Sequence, residues 1–245
     1  MDTRKRAGRS KRLDAIRAER RRKKRKQQLA TILTIGGVVV IVVAAIVLLS
    51  IRNNNKPLGP IALITPDPRP MAVGAEMGDP NAPVKMVEYS DFECPGCLNF
   101  YQSIEPSLVT EYIATGKVHF TYRSMGNWIG PESVAAAEAA YCAADQDRFW
   151  DYHDILFANW TGERVGDFTS ARLIAYAENI GLDMNTFKSC FNSHKYSDRV
   201  NQDYNDGIQA GVQYTPSIVI DGILYNGNMD YASIKQAIDT ALAGK

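Results

Sequence analysis

From Leu29 to Ile51 the chain carries no charged residue: LATILTIGGVVVIVVAAIVLLSI. As a helix, this stretch would be about 34 Å long at about 1.5 Å per residue, enough to cross a hydrocarbon layer of about 30 Å. Its Val and Ile content would suggest strands in water. In lipid every backbone N–H and C=O must be satisfied within the segment, which leaves the helix. The run RRRKKRK, Arg20 to Lys26, stands just ahead of it, and only Arg52 and Lys56 follow closely. That asymmetry predicts a cytoplasmic N-terminus and an extracytoplasmic C-terminal bulk, a single-pass protein of the cell membrane. The apolar stretch is longer than a usual leader core and no small-x-small site follows it. No Cys precedes Cys94, so a lipoprotein anchor is not expected either. The expectation is an uncleaved signal-anchor at 29–51.

The formal net charge of +1 hides two opposed parts. Residues 1–28 hold 14 Lys/Arg against 3 Asp/Glu, and the rest holds 14 against 24. Beside a membrane span, the basic tail at 1–28 reads as a topology signal with attraction to anionic lipid. It has no interleaved aromatic residues for base stacking, so no nucleic-acid partner is expected. Residues 52–75 carry Pro57, Pro60, Pro66, Pro68 and Pro70 without a helical or alternating period, and read as an extended extracytoplasmic linker. A globular domain is expected over 76–245. A hydrophobic fraction of 45% excludes a polytopic membrane protein, and four cysteines are too few for a disulfide-scaffold miniprotein.

Within 76–245 the periodicities predict a short strand at Val84–Tyr89 and a helix at Leu98–Ile113. They continue with a strand at Val118–Tyr122 and helices over 132–145, 147–159, 170–180, 184–192 and 196–210. Asp221-Gly222 between the strands 217–220 and 223–225 is a hairpin signal, and a last helix follows at 231–243. The order β-α-β, helical block, β-β-α predicts an α/β domain: a small mixed sheet with helices on both faces.

Cys94-Pro95-Gly96-Cys97 carries the chemistry. A lone CxxC fits a zinc half-site, a heme attachment or a redox dithiol. His119, His153 and His194 are scattered without metal-ligand spacing, so no metal is expected, and residue 98 is Leu rather than the His that heme attachment needs. The redox reading needs a strand, a turn and a helix that begins at the first Cys, and VKMVEYSDFE-CPGC-LNFYQ supplies them. A thiol at a helix N-terminus is held as thiolate by free N–H groups and the positive end of the dipole. Cys94 is therefore the expected exposed nucleophile and Cys97 the expected buried resolving thiol. Glu88, on the strand among apolar neighbours, is either a solvated strand residue or a proton relay for Cys97. Pro216 stands at the start of a strand, where Pro is often only a turn residue. A cis Thr215-Pro216 bond that brings Pro216 against the dithiol is the second reading.

EYSDFECPGC followed far downstream by GVQYTPSIVIDG resembles the DsbA-like branch of the thioredoxin fold, over roughly 76–243. The resemblance implies a thiol–disulfide oxidoreductase, with Cys94 attacking, Cys97 resolving, Glu88 at a buried-acid position and Pro216 as the cis-proline. It also implies a helical insertion at about 130–205. Pro95, Gly96, Tyr214 and Thr215 would border the substrate groove. Two residues depart from the best-known strong oxidants of the branch. Gly96 stands where those have His, and Tyr214 stands where Gly is usual. Phe149 to His153 read as packing within the insertion. Cys142 and Cys190, also in the insertion, fit a structural disulfide, two buried free thiols or a second redox pair. A bond would stabilise by about 4 kcal/mol in the chain-entropy model.

The expected function is a membrane-tethered extracytoplasmic oxidase of cysteine-containing exported proteins, with no bound cofactor. The resemblance implies an integral-membrane quinone-linked partner that reoxidises it. The alternatives are a reductase or isomerase with the same dithiol, and a non-catalytic binding module with a merely structural CPGC bond.

Overall fold

The computed structural model describes residues 36–46 and 59–245. Residues 36–46 are helical, and residues 59–245 form a separate compact unit. No helix among the described residues is long and apolar enough to cross a membrane. The basic tail at 1–28, and residues 29–35 and 47–51 of the expected span, lie outside the described residues, as do 52–58 of the expected linker.

A five-stranded sheet organises the compact unit, with strand order β1-β3-β2-β4-β5. The strands are β1 (Glu76–Met77), β2 (Val84–Ser90), β3 (Val118–Ser124), β4 (Ser217–Ile220) and β5 (Ile223–Leu224). β2 and β3 are parallel, and the other pairings are antiparallel. The β4–β5 hairpin turns at Asp221-Gly222, whose φ angles of 48° and 81° are the left-handed values a tight two-residue turn requires. α1 (Pro95–Ser103) and a short α2 (Glu105–Leu108) follow β2, and a π-helical turn (Val109–Ile113) completes that tract. The single helix predicted over Leu98–Ile113 is thus broken. Pro106 has no N–H to continue the ladder from α1, and sits instead in the first turn of α2. The insertion holds α3 (Pro131–Ala144), α4 (Phe149–Ala158), α5 (Ser170–Asn179), α6 (Met184–Asn192) and α7 (Ser197–Gln209). α8 (Tyr231–Ala243) closes the chain.

Alternation along β2 sends residues to two cores. Val84 and Met86 join the main core with Val118, Phe120, Tyr122, Ile218 and Ile220, on the face that buries Cys97 and Phe100 of α1. Val87 and Tyr89 pack with Val219, Leu224 and Tyr204 of α7 in a smaller cluster. Period-two burial of this kind is what a sheet covered on both faces requires.

Two expectations need correction. Residues 59–75 do not leave the domain as a spacer. Ile61 and Ile64 pack on the main core, and Ala62 exchanges two hydrogen bonds with the Asn159 amide, at 2.8 and 2.9 Å. The Arg69 guanidinium reaches Glu105 of α2 and Asp154 of α4. The prolines keep this segment extended while its apolar side chains and one Arg dock it. The aromatic run of α4 also does more than pack within the insertion. Phe157 lies 5.2 Å from both Phe92 and Tyr101, and His153 is edge-on to Tyr122 at 5.8 Å, so α4 braces the loop before Cys94.

Candidate active site

The sheet register places the dithiol. β2 ends at Ser90, and Asp91 to Glu93 turn the chain into α1, capped by Cys94 with extended φ −84° and ψ 124°. Pro95 fills the first helical turn, where its missing N–H costs nothing. β4 runs antiparallel to β2 with Ser217 opposite Tyr89, so the residues just before β4 arrive beside the start of α1. The Thr215-Pro216 bond is cis, and Pro216 is buried against the CPGC segment. A Cβ added to Gly96 would lie 3.0 Å from Pro216 Cδ and 3.2 Å from the Thr215 carbonyl oxygen. A side chain larger than hydrogen at 96 would therefore press on the proline loop. That contact is the physical correlate of Gly96 at this position.

Both thiols are free. Cys94, expected as an exposed nucleophile, has only 8% of its surface open, with the Thr215 carbonyl against its sulfur. Its thiol donates to the Thr215 carbonyl at 3.3 Å. The hydrogen bond from the Cys97 thiol lowers the Cys94 pKa to about 6 against the cost of burial. The Thr215 side chain and the N–H groups of Cys97 and Gly96 assist. Cys97 is fully buried, and burial first, then the bond to Cys94, pushes its thiol well above the ordinary range. The Asp91 N–H donates to Cys97 Sγ at 3.3 Å. The two sulfurs are thus set apart chemically: one is ionised near neutrality, the other stays protonated.

Beneath them lies a buried acidic layer. Glu88 is 2% exposed, and burial, then the neighbouring Glu105, holds its carboxyl well above the usual range. Asp91 is pushed up to about 7 by burial, although it accepts from Ser133 Oγ at 2.6 Å and from the Glu93 N–H at 2.9 Å. Glu93 Oε2 lies 2.9 Å from the same Ser133 hydroxyl, and Glu93 accepts from the Arg164 N–H at 2.7 Å. Asp91, Glu93 and Ser133 tie the active-site loop to α3, and sequence patterning did not mark them. Charged residues directly before a CxxC read as a solvated turn unless their burial is known.

Glu105, His153 and Asp154 also bring ligand atoms within 4.8 Å of one another. The Arg69 guanidinium is bonded to two of them, and its own charge is held firmly by Glu105 and Asp154 against the cost of burial. Tyr214 is 53% exposed next to the proline loop, Thr215 is half-buried and Pro95 is exposed, so all three are open to a bound chain. Cys142 of α3 and Cys190 of α6 are bonded, with Cα atoms 5.8 Å apart.

A helix-capping thiol of lowered pKa, a buried partner one turn on and a cis-proline loop across from them define a thioredoxin-fold dithiol protein. A Thioredoxin family model matches residues 72–240. The probable disulfide bond formation protein D of Bacillus cereus is 33% identical over 171 residues, which cover 68% of this chain and 77% of that one. The crystal structure of oxidised BdbD from Bacillus subtilis superposes with a TM-score of 0.64 at 25% identity, covering 75% of this chain and 100% of that one. Wolbachia pipientis α-DsbA1 shares the fold, with a TM-score of 0.60 at 23% identity over 69% of this chain and 91% of that one. The Na(+)/H(+) antiporter NhaA 1 of Salinispora arenicola is 30% identical over 168 residues, or 68% of this chain. The chain spans only 24% of that antiporter's length, and its transport activity is not carried over. The chain belongs to the DsbA-like thiol–disulfide oxidoreductase family of the thioredoxin fold.

Proposed function

We propose that this protein is a membrane-tethered extracytoplasmic oxidase that donates the Cys94–Cys97 disulfide to exported proteins. The observation that carries this reading is the contrast between the two thiols: Cys94 is lowered to about 6 and Cys97 is raised by burial. A stabilised Cys94 thiolate favours the reduced enzyme, and so favours passing the disulfide on. The relatives named for disulfide bond formation point the same way.

In the reaction, a substrate thiolate attacks Cys94 Sγ. The Cys94–Cys97 bond breaks, its electron pair leaves on Cys97, and Cys97 takes up a proton. A second substrate thiolate then attacks the substrate sulfur of the mixed disulfide and expels the Cys94 thiolate. The substrate loses two electrons and the enzyme gains them. Glu88, held protonated by burial, is the proton source for Cys97. Pro216 and the exposed Tyr214, with Thr215, Pro95 and Gly96, border the entering chain. An integral-membrane quinone-linked partner removes the two electrons in this reading.

The uncharged stretch Leu29–Ile51 and the basic run before it support the tether and the orientation. The structural Cys142–Cys190 bond suits an oxidising compartment. Trapping tests the activity: Cys97→Ser protein should accumulate mixed disulfides between Cys94 and exported cysteine-containing proteins. Alkaline extraction of membranes and protease treatment of intact spheroplasts test the placement. Release by alkali, or protection from protease, would count against the tether or the orientation. A Cys94–Cys97 potential near about −270 mV, the thioredoxin value, would favour the reductase reading over the oxidase.

A further inference from the structure

Four buried polar atoms around Cys97 have no hydrogen-bond partner: Glu88 Oε2, Ser90 Oγ, Asp91 Oδ2 and Tyr122 OH. Such atoms are rare in packed interiors, and a group of them calls for a functional reason. The sheet explains why they meet. Glu88 and Ser90 are two apart on β2 and share a face, and Tyr122 of β3 is registered directly opposite Glu88. On the other side Glu88 is paired with Ile218 of β4, which is apolar. That face is the one over which α1 buries Cys97. Ser90 and Tyr122 are fully buried, so bulk solvent does not serve these groups.

Ser90 addresses both ends of the proton transfer. Its hydroxyl interacts with both the Glu88 carboxyl and the Cys97 thiol, although neither contact closes to full hydrogen-bond geometry. A hydroxyl can donate one proton while it accepts another. We propose that Ser90 is the relay through which the proton passes between Glu88 and Cys97, with the Tyr122 hydroxyl positioning it from β3. The inference rests on the dithiol reading given above. When a substrate thiolate breaks the Cys94–Cys97 bond, the leaving Cys97 sulfur takes the Ser90 proton. Ser90 is re-protonated by the Glu88 carboxylic acid, which becomes a carboxylate. In the reverse direction the Cys97 thiol loses its proton along the same route.

The other charged and titratable groups that face Glu88 are Cys94 and Cys97 on α1, Glu105 on α2, Tyr122 on β3 and Arg69 from the docked N-terminal segment. Of these, Tyr122 also faces both Glu88 and Cys97, but from the neighbouring strand, whereas Ser90 shares the β2 face with Glu88.

The test uses the reduced full chain and an aromatic disulfide whose thiolate is coloured, followed by rapid mixing. Cys94 releases the first thiolate as it forms the mixed disulfide, and Cys97 releases the second when it resolves it. In Ser90→Ala the first burst should be unchanged. The second should slow by about tenfold or more, and its pH profile should move to higher pH. Ser90→Thr, which keeps the hydroxyl, should restore both. The second burst of the unmodified protein should show a bowed dependence on deuterium content, the mark of more than one proton in flight. A wild-type second burst and pH profile in Ser90→Ala, or a linear deuterium dependence in the unmodified protein, would overturn the relay. Loss of the first burst in the unmodified protein would instead overturn the dithiol reading.

Discussion

The two cysteine pairs lie in one domain and differ in almost everything except the element sulfur. Cys142 and Cys190 join α3 to α6, far apart in sequence, among Ala and Phe side chains of the insertion core. Cys94 and Cys97 are a helical turn apart at the start of α1, over Glu88 and Asp91 and under the Thr215-Pro216 loop. The first pair is already joined, and a bond that closes a long loop constrains the unfolded chain. The second is surrounded by groups that lower one thiol and raise the other. What makes a disulfide structural or exchangeable here is the surroundings of each sulfur, not its burial, since all four cysteines are buried.

That contrast can be broken from either side. Cys94→Ser should abolish thiol exchange altogether, and the joint change Cys142→Ala with Cys190→Ala should leave the exchange rate within about twofold while costing about 4 kcal/mol of stability. Oxidative refolding of a reduced substrate protein reads the first, and denaturant unfolding reads the second. Equal effects of the two changes on exchange would erase the distinction.

Arg69→Gln should cost about 3–5 kcal/mol, because it leaves buried Glu105 without its Arg partner and Asp154 with His153 alone. Unfolding curves would show this, and a loss below about 1 kcal/mol would mean that the pair is solvated after all.

A pH titration sharpens the site itself. The depressed Cys94 value stabilises the reduced form above the ordinary thiol range, and this stabilisation is lost as pH falls through about 6. Absorbance of the thiolate near 240 nm should therefore rise with a midpoint near pH 6, with Cys97 silent over the same range. The reduction potential should fall with pH half as steeply above that midpoint as below it. A single slope through pH 6 would contradict the assignment. The smallest effect is expected from Gly96→Ala, whose methyl would meet Pro216 and the Thr215 carbonyl. Displacement of that loop should raise the Cys94 midpoint by less than about one pH unit.

Much of the fold and of the dithiol site is legible in the sequence. Strand, turn and CPGC gave the dithiol its place at a helix start. The Asp221-Gly222 turn gave the hairpin, and the resemblance gave Pro216 its role opposite the thiols. The helix over 184–192 runs over the same residues as the periodicity. The docked segment 59–75 was not legible, because an extended chain with one Arg leaves no period and its partners Asn159, Glu105 and Asp154 are remote in sequence. Nor was the polar layer under Cys97. Glu88 was visible as a charge on a strand, but whether Ser90, Asp91 and Tyr122 face the thiol depends on register and on α1 above them. Pro106 was visible too. The run of apolar residues at helical spacing hid the break it makes.

A glutathione redox titration of the protein, with each cysteine followed separately by alkylation and mass, tests the central claim most directly. The account expects Cys94 and Cys97 to equilibrate at a potential clearly less negative than about −270 mV, towards the oxidising end near about −120 mV. Cys142 and Cys190 should stay joined throughout. Opening of the Cys142–Cys190 bond first, or a Cys94–Cys97 potential more negative than that of the insertion bond, would contradict it.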